Sequence, residues 1–171
     1  GHVEVLLPDG CELTYLTQTG TFKTQDQSLH ILWGQMPHRV IRVTGNGHIN
    51  IANLPLHEIL SMRFPENFLS KLFTGQLIRA NKKDPIDVSL FKKWISDYSS
   101  KNIQKISLSK MELRCRLTRQ MIDEWNYNEK NYNKPNKQTS KLQLMIKFMA
   151  ENYSEPLDIK KIASAGGISE G

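Results

Sequence analysis

The side chains best suited to chemistry are concentrated in the first third of the chain. All five histidines lie within residues 1–60. The two cysteines, Cys11 and Cys115, are far apart, and neither belongs to a Cys-x-x-Cys or Cys/His spacing of the kind that forms zinc sites or disulfides. We interpret both as ordinary thiols, and the spacing predicts no bound cofactor.

Charge divides the chain into two parts. Residues 1–60 hold three Lys and Arg against five Asp and Glu, whereas residues 61–171 hold 20 against 12, and the net charge is +6. Excess Lys and Arg favour association with polyanions through phosphate neutralisation, although lysine-rich helical surfaces also serve solubility. The asymmetry therefore favours a nucleic-acid partner for the second part.

No segment of the sequence has the character of a membrane anchor. There is no apolar run of about 20 residues and no basic-then-apolar leader at the N-terminus. We expect a cytoplasmic protein without membrane contact.

An alternating apolar pattern over the first sixty residues predicts short antiparallel strands. Pro8-Asp9-Gly10 and Gly45-Asn46-Gly47 carry turn signals, as do Thr17–Gly20 and the "GQMPH" segment. The strands expected between these turns cover residues 3–7, 11–16, 21–23, 29–33, 39–43 and 48–53. So many short strands indicate a sandwich or barrel. Because a strand begins near residue 1, we expect that the front of the barrel is missing.

From about Leu60 the apolar period becomes helical. Short amphipathic stretches begin at Pro65 and after Pro85, and residues 76–80 are expected to return to the sheet as a strand. The longest predicted helix covers Ser107 to Trp125, where apolar or small residues recur every three or four positions, as in a coiled-coil seam. That seam comprises Leu108, Met111, Cys115, Thr118, Ile122 and Trp125, and Leu113, Leu117 and Met121 widen it.

The C-terminal thirty residues predict a helical hairpin. One amphipathic helix follows Lys141, Asp158 is placed to cap a second helix, and Gly166-Gly167 allows a helix-ending left-handed turn. The segment "IKFMAENYSEPLDIKKIASAGGIS" resembles the first helix-turn-helix of the AraC/XylS transcription regulators. The resemblance implies a DNA-binding start that stops before its recognition helix, so that this chain alone should not read an operator.

The N-terminal segment resembles the sugar-sensing cupin domain of the same family. The similar motifs are "VEV", "LTYL", "ILW", "PH" and "NLP", beginning at Val3, Leu13, Ile31, Pro37 and Asn53. The cupin comparison aligns Glu4 with the glutamate, and His38 with the second histidine, of the metal motifs found in cupin enzymes. The remaining motif histidines would precede residue 1, so these two residues are expected to contact a ligand or to close a polar network, with a metal site as the third alternative.

Trp33 is the best single candidate for a sugar contact, because a pyranose stacks its C–H face on an aromatic ring. Alternation with Leu29 and Ile31 gives the competing interpretation that Trp33 belongs to the core. Tyr15 and Arg42, with His48 and Asn50, are weaker candidates, since alternation alone does not say which of them face the barrel interior.

The family resemblance implies a homodimer. In such regulators a helix at the position of Ser107–Trp125 packs antiparallel against its mate, which points to Leu108, Met111, Cys115, Ile122 and Trp125. The alternative is that the whole stripe packs on its own barrel. Dimerisation matters because two DNA-binding halves then reach adjacent half-sites.

The expected organisation is α+β: an antiparallel cupin-like barrel, then helices and an incomplete helix-turn-helix. We expect a sensing domain at 1–80, a dimerisation unit at 85–127, a linker at 128–140 and a DNA-binding start at 141–171. The resemblance implies a non-enzymatic regulator whose full-length form meets DNA, RNA polymerase and a small sugar such as the α-galactoside melibiose. A non-catalytic sugar-binding or dimerisation module and a metal-dependent cupin enzyme are the alternatives.

Overall fold

The chain has the expected α+β character, with a sheet formed first and helices following it. The computed structural model describes residues 1–17, 20–62, 64, 66–80, 82–128, 141, 144–149, 152 and 155–168. Its elements are β1 (His2–Thr17), β2 (Gly20–Lys23), β3 (His30–Trp33), β4 (His38–Pro55), α1 (Leu56–Ser61), α2 (Glu66–Phe73), β5 (Ile78–Arg79), α3 (Ile86–Ser99), α4 (Ile103–Asn128) and α5 (Ile159–Ala165). Among these, α1 was not predicted from the sequence.

The long strand β1 organises the sheet, and all its pairings are antiparallel. Along one edge β4 pairs with it from His2–Pro55 to Thr17–His38. Along the other edge β3 pairs near its start and β2 near its end, and β5 extends the sheet beyond β3. Between β3 and β2, Thr24 continues the edge, because its backbone N–H donates to the Leu13 carbonyl at 2.8 Å. The sheet curls into an open half-barrel.

Two of the predicted turns are wrong, because the structure continues both strands through them. Pro8-Asp9-Gly10 lies inside β1, Gly45-Asn46-Gly47 lies inside β4, and the two segments face each other with an irregularity in the register. Gly10 has φ +76° and Gly45 has φ +93°. A Cβ on Gly47 would overlap the backbone at Asp9 and Gly10. The glycines therefore let two paired strands bend together, as at a barrel corner, instead of ending them.

The two faces of the sheet have different apolar clusters. Val3, Val5 and Leu7 alternate on the outer face and join the main core with the helices. Leu6 and Tyr15 lie on the inner, concave face in a smaller cluster with Cys11, Leu13 and Leu32. The helices thus cover the outer face of the half-barrel, and the inner face keeps its own small core.

Polar contacts fix α3 against α4. Asp87 and Arg116 form a buried bidentate pair, with Nε–Oδ1 and Nη2–Oδ2 distances of 2.6 and 2.8 Å. Ser109 donates to Asp97 at 2.9 Å. Both groups lie in the interface, so the two helices have one defined axial alignment.

The C-terminal segment forms the predicted pair of helical pieces. Residues 144–149 are helical, and Asp158 caps α5 by accepting from the Lys160 backbone N–H at 3.0 Å. Gly167 has φ +60°, which confirms the left-handed turn. The two helical pieces approach each other closely at Gly166, where a Cβ would meet the Met145 side chain. The predicted linker lies almost wholly outside the described residues.

None of the helices in the described ranges is long and apolar enough to cross a membrane.

Candidate functional site

A polar cluster lies at the open side of the concave face. The Glu4 carboxylate is 3.3 Å from His2 Nε2 through Oε1 and 3.7 Å from His38 Nε2 through Oε2. Glu4 pairs with Asn53 at the start of β1, whereas His38 pairs with Thr17 at its end. The two side chains therefore meet only because the sheet curls until opposite ends of β1 approach each other.

The backbone fixes the orientation of the His38 ring. His38 Nδ1 lies 2.7 Å from the Met36 carbonyl oxygen, which can only accept, so Nδ1 carries a proton and donates it. Nε2 is thereby directed toward Glu4. In the neutral ring Nε2 is an acceptor, and in the protonated ring it becomes a second donor.

Tyr15 forms the inner wall of the cluster. Its ring lies 5.8 Å from the His38 ring, centroid to centroid, and the residue is buried. Burial and, next, the Glu4 carboxylate raise the pKa of the Tyr15 hydroxyl above its ordinary value. Tyr15 is therefore a neutral phenol at physiological pH, able to donate one hydrogen bond and to accept others.

The cluster has the chemistry of a hydroxyl-binding site. A carboxylate accepts, a phenol can donate, and an imidazole can do either, all beside the apolar side chains of the concave face. Glu4 and His38 remain partly accessible, with 17% and 18% of their side-chain surface exposed. Within the described residues, no group of three or more His, Cys, Asp and Glu is arranged to hold a metal ion.

The structure does not bring the other predicted contact residues to this cluster. Trp33 pairs with Val3 and lies on the outer face, where its ring packs edge-on against Phe73 at 5.2 Å. Arg42 pairs with Thr14, one residue before Tyr15, and its exposed side chain follows the outer face.

The weaker candidates His48 and Asn50 lie at the bend. His48 is exposed and 3.8 Å from the Asp9 carboxylate. The Asn50 amide is buried and donates to the Leu7 carbonyl at 3.3 Å. Both have local partners within the sheet and lie away from the Glu4 cluster in the strand register.

Two members of the cluster were missed from the sequence. His2 contacts Glu4, and spacing by two residues along a strand places both side chains on one face, which was a usable signal. Gly34 was treated only as part of a bend. A Cβ at Gly34 would clash with the His2 ring and approach Glu4 Oε1, so glycine leaves the room that these side chains occupy.

A second surface of interest lies on α4. Leu113, Leu117 and Met121 pack into the main core. On the opposite side of the helix, Leu108, Met111 and Ile122 are 48%, 60% and 59% exposed, Cys115 is exposed, and Thr118 is partly exposed. We call Leu108, Met111, Cys115, Thr118 and Ile122 the α4 stripe. The Trp125 side chain lies outside the described residues.

The α4 stripe lies beside an open groove. The groove has a volume of about 450 Å³ and is lined by Met62, Arg114, Cys115, Thr118, Arg119 and Ile122. On the α3 side, Glu112 accepts from Lys93 Nζ at 2.7 Å and from Trp94 Nε1 at 2.9 Å. These two donors, Lys93 first, lower the pKa of Glu112, which keeps a negative charge beside the stripe.

Comparison with known proteins identifies a distant relationship. The chain is 24% identical over 170 residues, 95% of its length, to the "Melibiose operon regulatory protein" of Escherichia coli strain K12 and, with the same values, to that of Escherichia coli O6:H1 strain CFT073. It spans 56% of the length of these curated relatives. No family model matches the chain, and no solved structure matches it. The chain is thus a distant relative of two operon regulatory proteins.

Proposed function

We propose that this chain is the sensing and pairing part of a sugar-responsive transcription regulator of the AraC/XylS type, and that it is not an enzyme. The observation that carries this proposal is the likeness to the melibiose operon regulatory proteins, which extends over 95% of the chain. Because it includes both the sheet and the C-terminal helices, it supports one combined role better than an isolated sugar-binding module.

In this proposal the half-barrel is a cupin-like sensor domain covering residues 1–80. Glu4 and His38 bind sugar hydroxyls, and Tyr15 donates from the inner wall. Their mixture of donors and acceptors suits a polyol. The smaller apolar cluster of the concave face, which includes Leu6 and Leu32, provides an apolar surface beside them. Melibiose is the sugar to test, because both relatives are melibiose operon regulatory proteins.

The remaining segments complete the regulator. Residues 85–127 form the dimerisation unit, with the α4 stripe as the contact surface. Residues 128–140 act as a linker, and residues 141–171 begin a helix-turn-helix. In the whole protein, DNA and RNA polymerase are the partners, and sugar binding changes which half-sites a dimer occupies.

Calorimetric titration tests the sensor. We expect melibiose to give saturable heat with the 171-residue chain, and sucrose and maltose to give far less. Glu4→Gln removes the charged acceptor and should weaken melibiose binding roughly ten- to a hundredfold, the effect of losing a hydrogen bond to a charged group. Arg42→Gln, on the outer face, is the matched control and should retain the wild-type affinity.

Two results would reject the proposed site. One is the absence of heat from a chain whose circular dichroism shows a folded sheet. The other is equal melibiose affinity in the wild type and in Glu4→Gln. Loss of binding in Arg42→Gln instead would move the site to the outer face.

A further inference from the structure

We infer that α4 pairs with α4 of a second copy in one specific antiparallel register, set by Glu112 and Arg119 and centred between Cys115 and Thr118. This inference rests on the dimerisation assigned to α4 in the proposed function. It adds which residues meet across the pair and what excludes the neighbouring alignments.

The position of the α4 stripe on the helix is the first observation. At 100° per residue the stripe lies nearly opposite Leu113, Leu117 and Met121, which pack into the core. One apolar side of α4 is therefore covered by the core, and the other is exposed. The exposed side is a narrow seam of the width that one further helix can cover. The 3-4-3-4 spacing of Leu108, Met111, Cys115, Thr118 and Ile122 is that of such a seam.

Charge selects a second copy as the occupant and fixes the alignment. On the α3 side of the stripe, Lys105, Glu112 and Arg119 recur every seven residues. In an antiparallel pair, side chains on this flank face the same flank of the partner helix. Placing Glu112 opposite Arg119 of the second copy makes two opposite-charge pairs, one at each side of the twofold axis.

Neighbouring alignments oppose like charges. A shift of one heptad in one direction sets the two copies of Glu112 against each other and Lys105 against Arg119. A shift in the other direction sets the two copies of Arg119 against each other. A parallel pair would place Arg114 next to Arg119. Like-charge contacts of this kind are the usual means of excluding wrong registers.

The groove beside the stripe fits the favoured alignment. In that register Met111 of the second copy lies opposite Ile122, Cys115 lies opposite Thr118, and Leu108 lies one layer further out at each end. The groove is lined by Arg114, Cys115, Thr118, Arg119 and Ile122 on the helix and by Met62 from outside it. It is thus the hole into which Met111 of the second copy inserts.

Disulfide mapping tests the register directly. Three cysteine pairs are compared under mild oxidation in the 171-residue chain. Met111→Cys with Ile122→Cys, in a Cys115→Ser background, reports the inferred register. Met111→Cys with native Cys115 reports the shift in one direction. Thr118→Cys with Ile122→Cys, again with Cys115→Ser, reports the other shift. We expect only the first pair to give a high yield of covalent dimer.

A charge reversal tests the cause of the register. Arg119→Glu should raise the dimer dissociation constant at least tenfold, whereas Lys110→Glu, an equal charge change on an exposed residue away from the stripe, should change it less than twofold. Sedimentation equilibrium measures both. Equal effects of the two variants would overturn the role of Arg119.

The outcomes separate this inference from the dimerisation on which it rests. A dimer that crosslinks best through either shifted pair overturns the register and leaves α4 pairing intact. A dimer that crosslinks through none of the three pairs shows that another surface associates. Sedimentation as a monomer at all concentrations overturns both the register and the pairing.

Discussion

At the scale of single residues, the position of a polar group in the curled sheet decides its role. Glu4 and His38 are 34 positions apart in sequence, yet the curl places their side chains 3.7 Å from each other. Trp33 is the residue type better suited to stack on a sugar, but its side chain points into the helical layer, because that of its strand partner Val3 does so. Residue type alone would have ranked these residues in the opposite order.

The buried histidine His30 gives a prediction about acid stability. It is fully buried, its Nε2 accepts from the Gln25 backbone N–H at 3.1 Å, and burial lowers its pKa to about 4. The unfolded chain, with an ordinary value near 6.5, therefore binds a proton first as the pH falls. The contribution of neutral His30 to the free energy of unfolding is therefore fully present above about pH 6.5 and is lost progressively down to about pH 4. The loss between pH 7 and pH 5 is about 2 kcal/mol.

Urea denaturation at pH 7 and pH 5 measures this loss, and His30→Gln supplies the comparison. Glutamine can accept from the same N–H but does not titrate, so the pH dependence should be smaller in the variant. Parallel pH profiles for the two proteins would show that His30 does not cause the acid sensitivity.

At the scale of elements, the glycines at the bend are the most constrained positions of the sheet. Gly47→Ala should destabilise the chain by about 2 kcal/mol or more, because the added methyl group meets backbone atoms of Asp9 and Gly10 that cannot move aside. Asn46→Ala, at the exposed neighbouring position, should change the free energy of unfolding by no more than about 0.5 kcal/mol. Chemical denaturation of both variants provides the measurement. Similar losses in both variants would contradict the overlap argument.

The same bend shows where inference from sequence reached its limit. The strands around Leu29–Trp33 and the long helix were predictable, because apolar periodicity is a local property. Gly45-Asn46-Gly47 carries the local signal of a hairpin turn. Whether such a segment ends a strand or bends it depends on Gly10 lying opposite, 35 residues earlier in the sequence. Pairing between distant segments is not encoded in either of them alone.

The candidate site was partly predictable for a related reason. Glu4 and His38 followed from the family resemblance, whereas Tyr15 was only one of four weaker candidates that strand alternation could not separate. Alternation could not place Arg42 either, because the irregularity in the register between Thr14 and Tyr15 puts Arg42 and His38 on opposite faces although they are four positions apart on one strand.

At the scale of the whole molecule, we expect the two sides of α4 to have separable roles. Met111→Lys combined with Ile122→Lys should abolish dimerisation while leaving the folded monomer intact, because both side chains are more than half exposed. Sedimentation equilibrium and circular dichroism measure association and folding. Ile95→Lys on α3, where the side chain is 50% exposed, is the control and should leave association unchanged.

The opposite result is expected on the covered side of the helix. Leu117→Ala removes a fully buried side chain and should cost about 2–5 kcal/mol of stability. A monomeric Leu117→Ala variant that retained full stability, or a dimeric Met111→Lys/Ile122→Lys variant, would refute this division of the helix.

The buried Asp87–Arg116 pair determines how α4 can move. Sliding α4 along α3 by one turn would separate the Arg116 guanidinium from the Asp87 carboxylate inside a buried interface. Separating such a pair costs about 3–5 kcal/mol. Sliding of one helix along the other is therefore strongly disfavoured, whereas tilting both helices together leaves the pair intact. Any displacement of α4 that preserves this pair must therefore carry α3 with it, so the two helices move as one body.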